Sequence, residues 1–298
     1  MPTMNDDQKR ERTDLVLSLA AARLQPAQRP LVEAFGREYF RRLDAEDLLA
    51  RTPEDLLGAL LSHWQFGARR DPGHTLVRVL SPAVAENGWA SRHTVIDVVN
   101  DDMPFLVDTT TMEINRQGLT LHLIVHPLFT VERDAQGQLL SIAPRSEASD
   151  APQARHESWM HIEVDRLVDP QQRAELAAGL ERVLGDVRAA VEDFRPMKEQ
   201  LGRVIAELER APAALPAAQV QENLAFAQWL AEDHLILLGY RCQDLVREGG
   251  EDALRLVPGS GMGLLRGAGQ EKLSASFSAL PAQARAMARE PLPLVLIT

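Results

Sequence analysis

The chain of 298 residues has a single cysteine, Cys242. One thiol can form neither an intrachain disulfide framework nor a cysteine-rich zinc site. Such sparing use of cysteine fits a reducing compartment. Long hydrophobic runs are missing too. No stretch approaches the roughly 18 apolar residues that a membrane helix needs, and no charged-then-apolar leader opens the sequence. Together these absences predict a cytoplasmic protein with no membrane partner. Positive charge is the minority sign, with 32 Lys and Arg against 43 Asp and Glu and a formal net charge of −11. An acidic chain repels phosphate backbones, and no basic stripe with interleaved aromatics offsets this, so nucleic acid is not an expected partner.

Several catalytic signatures are also missing. The sequence has no nucleophile elbow and no zinc-protease helix motif. The stretch Gly259-Ser-Gly-Met-Gly263-Leu-Leu-Arg-Gly267 is neither a dinucleotide fingerprint nor a phosphate-binding loop, and reads as a turn between strands. Cys242 lacks an activating neighbourhood and reads as a small core residue. Four histidines, His122, His126, His156 and His161, fall on adjacent predicted strands. His122 and His126 are four apart, about 13 Å along a strand, too far to share one metal ion unless the chain bends. No metal site is expected from them.

A packed core is nevertheless expected, because 45% of the chain is hydrophobic and 25% charged. The length suggests about two domains. Only Met1 to Arg12 reads as frayed. Residues 1–70 read as a helical segment. One helix stops near Pro26 and a second starts at Pro30, with Leu31, Phe35, Tyr39 and Phe40 on its apolar face. Thr52-Pro53-Glu54-Asp55 is a helix start, with Thr52 as N-cap and acids in the first turn.

The pattern changes at Asp71-Pro72-Gly73. Residues 71–196 read as strand, helix, strand, strand, helix, preceded by one further strand at 75–81. The β-branched run Thr94 to Val99 supplies the first strand of this unit. A helix is expected from Met103 to Arg116, closed by Gly118. An extended segment follows over Leu119 to Arg133, at a sheet edge or bulged at Pro127. A turn at Asp134 to Gly137 leads to another strand, and His156 to Val164 alternates as the next. A long helix opens at Asp169-Pro170 and is expected to end near Pro196. This order is ferredoxin-like except for its last strand, and the strand at 75–81 can occupy that place beside the first. Residues 197–233 read as a helical linker divided by Pro212 and Pro216. Residues 234–298 read as an incomplete β-containing module. The apolar run Leu294 to Thr298 gives the expectation that the sequence is part of a longer chain. The fold class is therefore α+β.

The most specific feature is Asn100-Asp-Asp-Met-Pro-Phe-Leu-Val-Asp108, at the junction of the first strand and first helix. It places carboxylates and backbone N–H groups at a helix N-terminus. Three readings stand. Asp101 or Asp102 caps the helix. Alternatively Asp101, Asp102, Met103, Pro104, Phe105 and Asp108 form a small-molecule pocket, with carboxylates for a ligand ammonium and N–H groups for its carboxylate. A third reading pairs Asp101 or Asp102 with Asp108 or Glu113 as acid and base.

These residues carry a family resemblance. Val98 to Asp108, Met112 to Gly118, His126-Pro127, Arg133 to Gly137, Ser158 to Val164, Leu238 to Arg241 and Gly261 to Arg266 resemble the N-terminal region of the large bacterial NAD-specific glutamate dehydrogenases. The resemblance spans roughly residues 95 to 266. It implies an ACT-like domain of ferredoxin-like fold, followed by a further module of PAS-like type near 234–298. It also implies a homo-oligomer, an amino-acid effector, and NAD bound only in a catalytic domain outside these residues, so that this chain holds no cofactor and no catalytic residues. Two roles follow. One is an amino-acid sensor acting through the 101–108 turn, which requires different affinities for two states. The other is an assembly module that binds nothing small.

Overall fold

The structure is a computed structural model that describes residues 4–147, 153–210, 216–267 and 273–286. The expected apolar strand at 294–298 and the division at Pro212 lie outside the described residues. The chain forms two compact units, Met1–Gly185 and Asp186–Thr298.

The first unit opens with helices α1 (Met4–Arg23), α2 (Arg29–Arg41), α3 (Ala45–Leu49) and α4 (Pro53–Gly67). Residues 4–12 are not frayed but belong to α1. Lys9 Nζ donates to the carbonyl of Leu43 at 2.5 Å, and Arg12 Nη1 to that of Arg51 at 2.7 Å, so polar side chains tie down a segment whose composition alone suggests disorder. Thr52 caps α4 as expected, its hydroxyl accepting from the backbone N–H of Asp55 at 3.1 Å.

After α4 come β1 (Leu76–Leu80), the short α5 (Val84–Asn87), β2 (Thr94–Asp101), α6 (Leu106–Arg116), β3 (Leu121–Val125), β4 (Leu128–Arg133), β5 (Leu139–Pro144), β6 (Arg155–Val164) and α7 (Pro170–Glu209). The sheet order is β1-β2-β6-β4-β5, and β3 also pairs with β6. All of these pairings are antiparallel. β1 lies beside β2 in register Val79↔Ile96, the place of the missing fourth ferredoxin strand. β3 and β4 are two halves of one line along β6, interrupted at His126-Pro127. Proline has no N–H for the ladder, and its carbonyl accepts from Trp159 N at 3.1 Å. The Asp134 to Gly137 turn joins β4 to β5, with Gly137 at φ 77°. A side chain there would be strained by that φ, and its Cβ would lie 2.5 Å from the Arg70 carbonyl oxygen.

Both faces of the central strands are covered. Successive residues of a strand point to opposite faces. Val99, Phe129, Val131 and Trp159 join Val16, Val32, Phe35, Leu57, Leu60 and Trp64 of the N-terminal helices in one core cluster. The alternate residues Ile96, Val98, Met160 and Ile162 are also buried, and α6 and α7 supply the buried Leu106, Ile114, Leu176, Leu180 and Leu184. The first face therefore carries a helical layer built from the segment preceding the ferredoxin-like unit.

Two expectations change. The helix after β2 starts at Leu106 rather than Met103, because Phe105 takes a left-handed conformation at φ 69° that breaks the helical path. Helix α7 continues through Pro196 to Glu209 instead of ending there. Proline removes one hydrogen bond and disfavours a helix at the residue before it, yet the surrounding helix-forming sequence carries the turn on.

In the second unit, α8 (Ala217–Trp229) is followed by β7 (Gly239–Tyr240), β8 (Gln243–Glu248), β9 (Glu251–Leu256) and β10 (Met262–Gly263). β8 and β9 form a hairpin, and β10 pairs with β7. The glycine-rich stretch is the turn leading into and past β10. Arg266 Nη2 there meets Asp193 Oδ1 at 2.7 Å, and Arg266 Nη1 meets Glu192 Oε2 at 3.0 Å.

Candidate functional site

The strand–helix turn is the place the sequence singles out, and its acids are already engaged. Asp101 Oδ1 accepts from Arg70 Nη2 at 2.8 Å, and Asp102 forms an ion pair with Arg145. Neither carboxylate caps α6; its N-cap position is Phe105, with no side-chain cap bond. The backbone N–H groups of these two residues are engaged too. That of Asp101 donates to Asn100 Oδ1 at 2.9 Å, and that of Asp102 to the His156 carbonyl at 2.9 Å. Met103 is half-buried, while Pro104, Phe105 and Asp108 are exposed. Phe105 thus combines a left-handed backbone, which costs a non-glycine residue about 1–3 kcal/mol, with a ring facing solvent. Glu113, the sequence's other acid–base candidate, is bound by Arg116 through both carboxylate oxygens at 2.7 Å and by Gln117 Nε2 at 2.8 Å. The hydrogen bonds from Arg116 hold its carboxyl down at about 2.

Beneath the turn lies a buried polar network. Arg70 Nη1 reaches Glu157 Oε1 at 2.8 Å, and Arg133 grips both oxygens of the same carboxylate at 2.8 Å. The indole N–H of Trp159 donates to Glu157 at 3.0 Å. Burial pushes the Glu157 carboxyl up, but the two guanidiniums outweigh this and hold it below its ordinary value.

Farther along the same sheet face, a second network joins Asp97, His161 and Glu163 to the helical layer. Asp97 Oδ1 meets His161 Nδ1 at 2.8 Å, and Asp97 Oδ2 accepts from Arg78 Nη2 at 2.5 Å. Glu163 Oε2 accepts from Arg51 Nη2 at 2.8 Å and meets His93 Nδ1 at 2.8 Å. His63, on α4, faces this group with Nδ1 3.8 Å from Asp97 Oδ1. Burial drives the His63 imidazole down to about 4 and keeps it neutral. Burial acts the same way on His161, but its bonds to Asp97 and Glu163 prevail and raise it to about 9.

The four histidines prominent in the sequence do not converge. His122 pairs with Asp165 at 2.8 Å, His126 with Ser158 Oγ at 2.7 Å, and His156 with Thr130 Oγ1 at 3.3 Å. Of the four, His161 joins the buried cluster with His63 and Asp97, two residues that the sequence marks only weakly. One signal pointed there: Asp97 interrupts an otherwise apolar strand, and a buried carboxylate needs a partner.

Comparison with known proteins agrees with the fold. Residues 35–180 match the family model described as the glutamate dehydrogenase ACT1 domain. The chain is 40% identical over 263 residues to a NAD-specific glutamate dehydrogenase of Halomonas elongata, covering 87% of this chain and 16% of that protein. It is 35% identical over 212 residues to the protein of that name from Pseudomonas aeruginosa, covering 71% of this chain and 13% of the relative. It is 31% identical over 217 residues to one from Mycobacterium tuberculosis, covering 71% of this chain and 12% of the relative. The chain thus spans about one sixth or less of the length of these relatives.

Proposed function

The chain carries the ACT1 domain of glutamate dehydrogenase and shares most of its length with large NAD-specific glutamate dehydrogenases, and from that premise we propose that it is the N-terminal regulatory and assembly region of such an enzyme. The parent enzyme oxidises L-glutamate to 2-oxoglutarate and ammonia in the cytoplasm, and binds NAD in a catalytic domain separate from these residues. Within this region the role is assembly rather than amino-acid sensing, and the working state is a homo-oligomer.

One observation carries the choice: Asp101 and Asp102, the carboxylates that would meet a ligand ammonium, are paired with Arg70 and Arg145 of the same chain. An incoming amino acid would have to break those pairs. Two further features support assembly. Phe105, just before α6, and Met112, within it, are apolar side chains that are 42% and 70% exposed. Among the described residues β1 pairs on one side only, with β2, and a half-exposed apolar edge strand is a template for pairing with another chain.

Thermal unfolding with and without millimolar amino acids tests the choice, glutamate and aspartate first. A ligand at one hundred times its Kd adds about 2.7 kcal/mol, a visible shift in midpoint. Assembly without sensing predicts no shift with any amino acid. A shift that vanishes in Asp102→Ala would overturn it in favour of a sensor at the turn.

A further inference from the structure

His63, Asp97 and His161 come from three different elements, α4, β2 and β6, and are separated by 34 and 64 positions in sequence. All three are buried, and one ligand atom from each lies within 4.8 Å of the others. Two features distinguish this cluster from an ordinary buried ion pair. First, His63 is fully buried, yet neither ring nitrogen makes a well-formed hydrogen bond, the Val98 backbone being at most a weak partner. An unsatisfied buried imidazole is costly, and the ring faces Asp97 rather than apolar side chains alone. Second, the groups around the cluster are arranged as supports. Arg78 holds Asp97 Oδ2 and leaves Oδ1 to the two imidazoles. Glu163 lies 3.8 Å from His161 Nε2, the nitrogen that points away from Asp97. Metal-binding histidines commonly present their second nitrogen to a carboxylate in this way.

We propose that His63, Asp97 and His161 hold a divalent transition-metal ion of the zinc type, which ties the N-terminal helical layer to the sheet. Two imidazoles and one carboxylate suit such an ion, whereas magnesium and calcium favour oxygen donors. Metal–ligand bonds of 2.0–2.2 Å in a tetrahedron put ligand atoms about 3.3 Å apart. The distances from Asp97 Oδ1 to His161 Nδ1 and His63 Nδ1, 2.8 and 3.8 Å, straddle that value. The ligand atoms of the two imidazoles lie within 4.8 Å of each other and would close towards the same spacing as the ion binds. The ion takes the place of the Nδ1 proton that His161 otherwise shares with Asp97, and it gives one ring nitrogen of His63 a partner. Because the site is buried, the ion enters as the chain folds, and its binding energy becomes folding energy.

The test is to unfold the full chain with chelator and refold it with chelator, with zinc or with cobalt. Excess metal is then removed by gel filtration. The expected result is one retained ion per chain, the intense visible bands of cobalt held by the three side chains and one water, and a higher unfolding midpoint than in the chelator-refolded chain. Ring-nitrogen NMR of the wild-type chain should show zinc-induced shifts confined to two of its eight histidines. His63→Gln, with its fold checked by circular dichroism, should weaken retention at least tenfold. A wild-type chain that refolds equally well with chelator and retains no ion would overturn the proposal. So would a retained ion that shifts no histidine nitrogen, or one undiminished in folded His63→Gln.

Discussion

Arg70 and Glu157 form an ion pair 2.8 Å long in which the side chains are only 1% and 0% exposed. The pair joins the segment after the last N-terminal helix to the central strand β6. Arg70 also reaches Asp101 at the start of the strand–helix turn. The turn that the sequence marks as special is therefore anchored from within. Removing one member of a buried pair leaves the other charge without compensation, at about 3–5 kcal/mol. Glu157→Gln leaves Arg133 in that state and Arg70 with Asp101 as its one carboxylate partner, so urea unfolding should show a loss in this range. A loss below about 1 kcal/mol would mean that solvent reaches the network.

Gly67, the last residue of α4, lies against the indole of Trp159. A Cβ at this position would come within 2.3 Å of the ring. Gly67→Ala should destabilise the chain by about 1–3 kcal/mol, as overpacking does, although alanine favours helix more than glycine does. A stabilised Gly67→Ala chain would show that the contact between helical layer and sheet is loose.

Asp102 makes an ion pair with Arg145 rather than a helix cap. Arg145 is half exposed, so the pair should be worth roughly 0–1 kcal/mol. Asp102→Ala and Arg145→Ala should then have similar small effects, and the double variant should cost less than their sum. Additive effects, with Asp102→Ala alone costing about 1–2 kcal/mol, would restore the cap reading.

Glu113 gives the chain an acid-sensitive element. Its folded-state pKa, about 2, lies below its ordinary 4.5. The folded state thus favours the ionised form, and this stability is present above 4.5 and lost as pH falls towards 2. Wild-type chain should lose more stability than Glu113→Gln between about pH 6 and pH 3, read from urea midpoints. Parallel losses in the two chains would remove Glu113 from the account.

Much of the architecture was legible because local chemistry and tertiary structure agree. Thr52-Pro53 marks a helix start by local cap and proline chemistry, and the fold keeps it. The β-branched run of β2 and the glycines Gly118 and Gly137, both at positive φ, punctuate the chain as expected. Connection rules put β1 beside β2. The site was less legible because its partners are remote in sequence. Arg70, Arg133 and Arg145 look like ordinary charged residues until the fold brings them to Glu157 and Asp102. His63 reads only as a residue of α4, and its meeting with Asp97 and His161 depends on how that helix lies on the sheet. The end of α7 is not legible locally, because the helix on both sides of Pro196 outweighs a proline penalty of about 3 kcal/mol.

Assembly of the enzyme by this region is open to measurement by sedimentation equilibrium of the chain across a wide concentration range. The expected mass is a multiple of the monomer's, rising with concentration and unaffected by millimolar glutamate. A monomer at every concentration would contradict it.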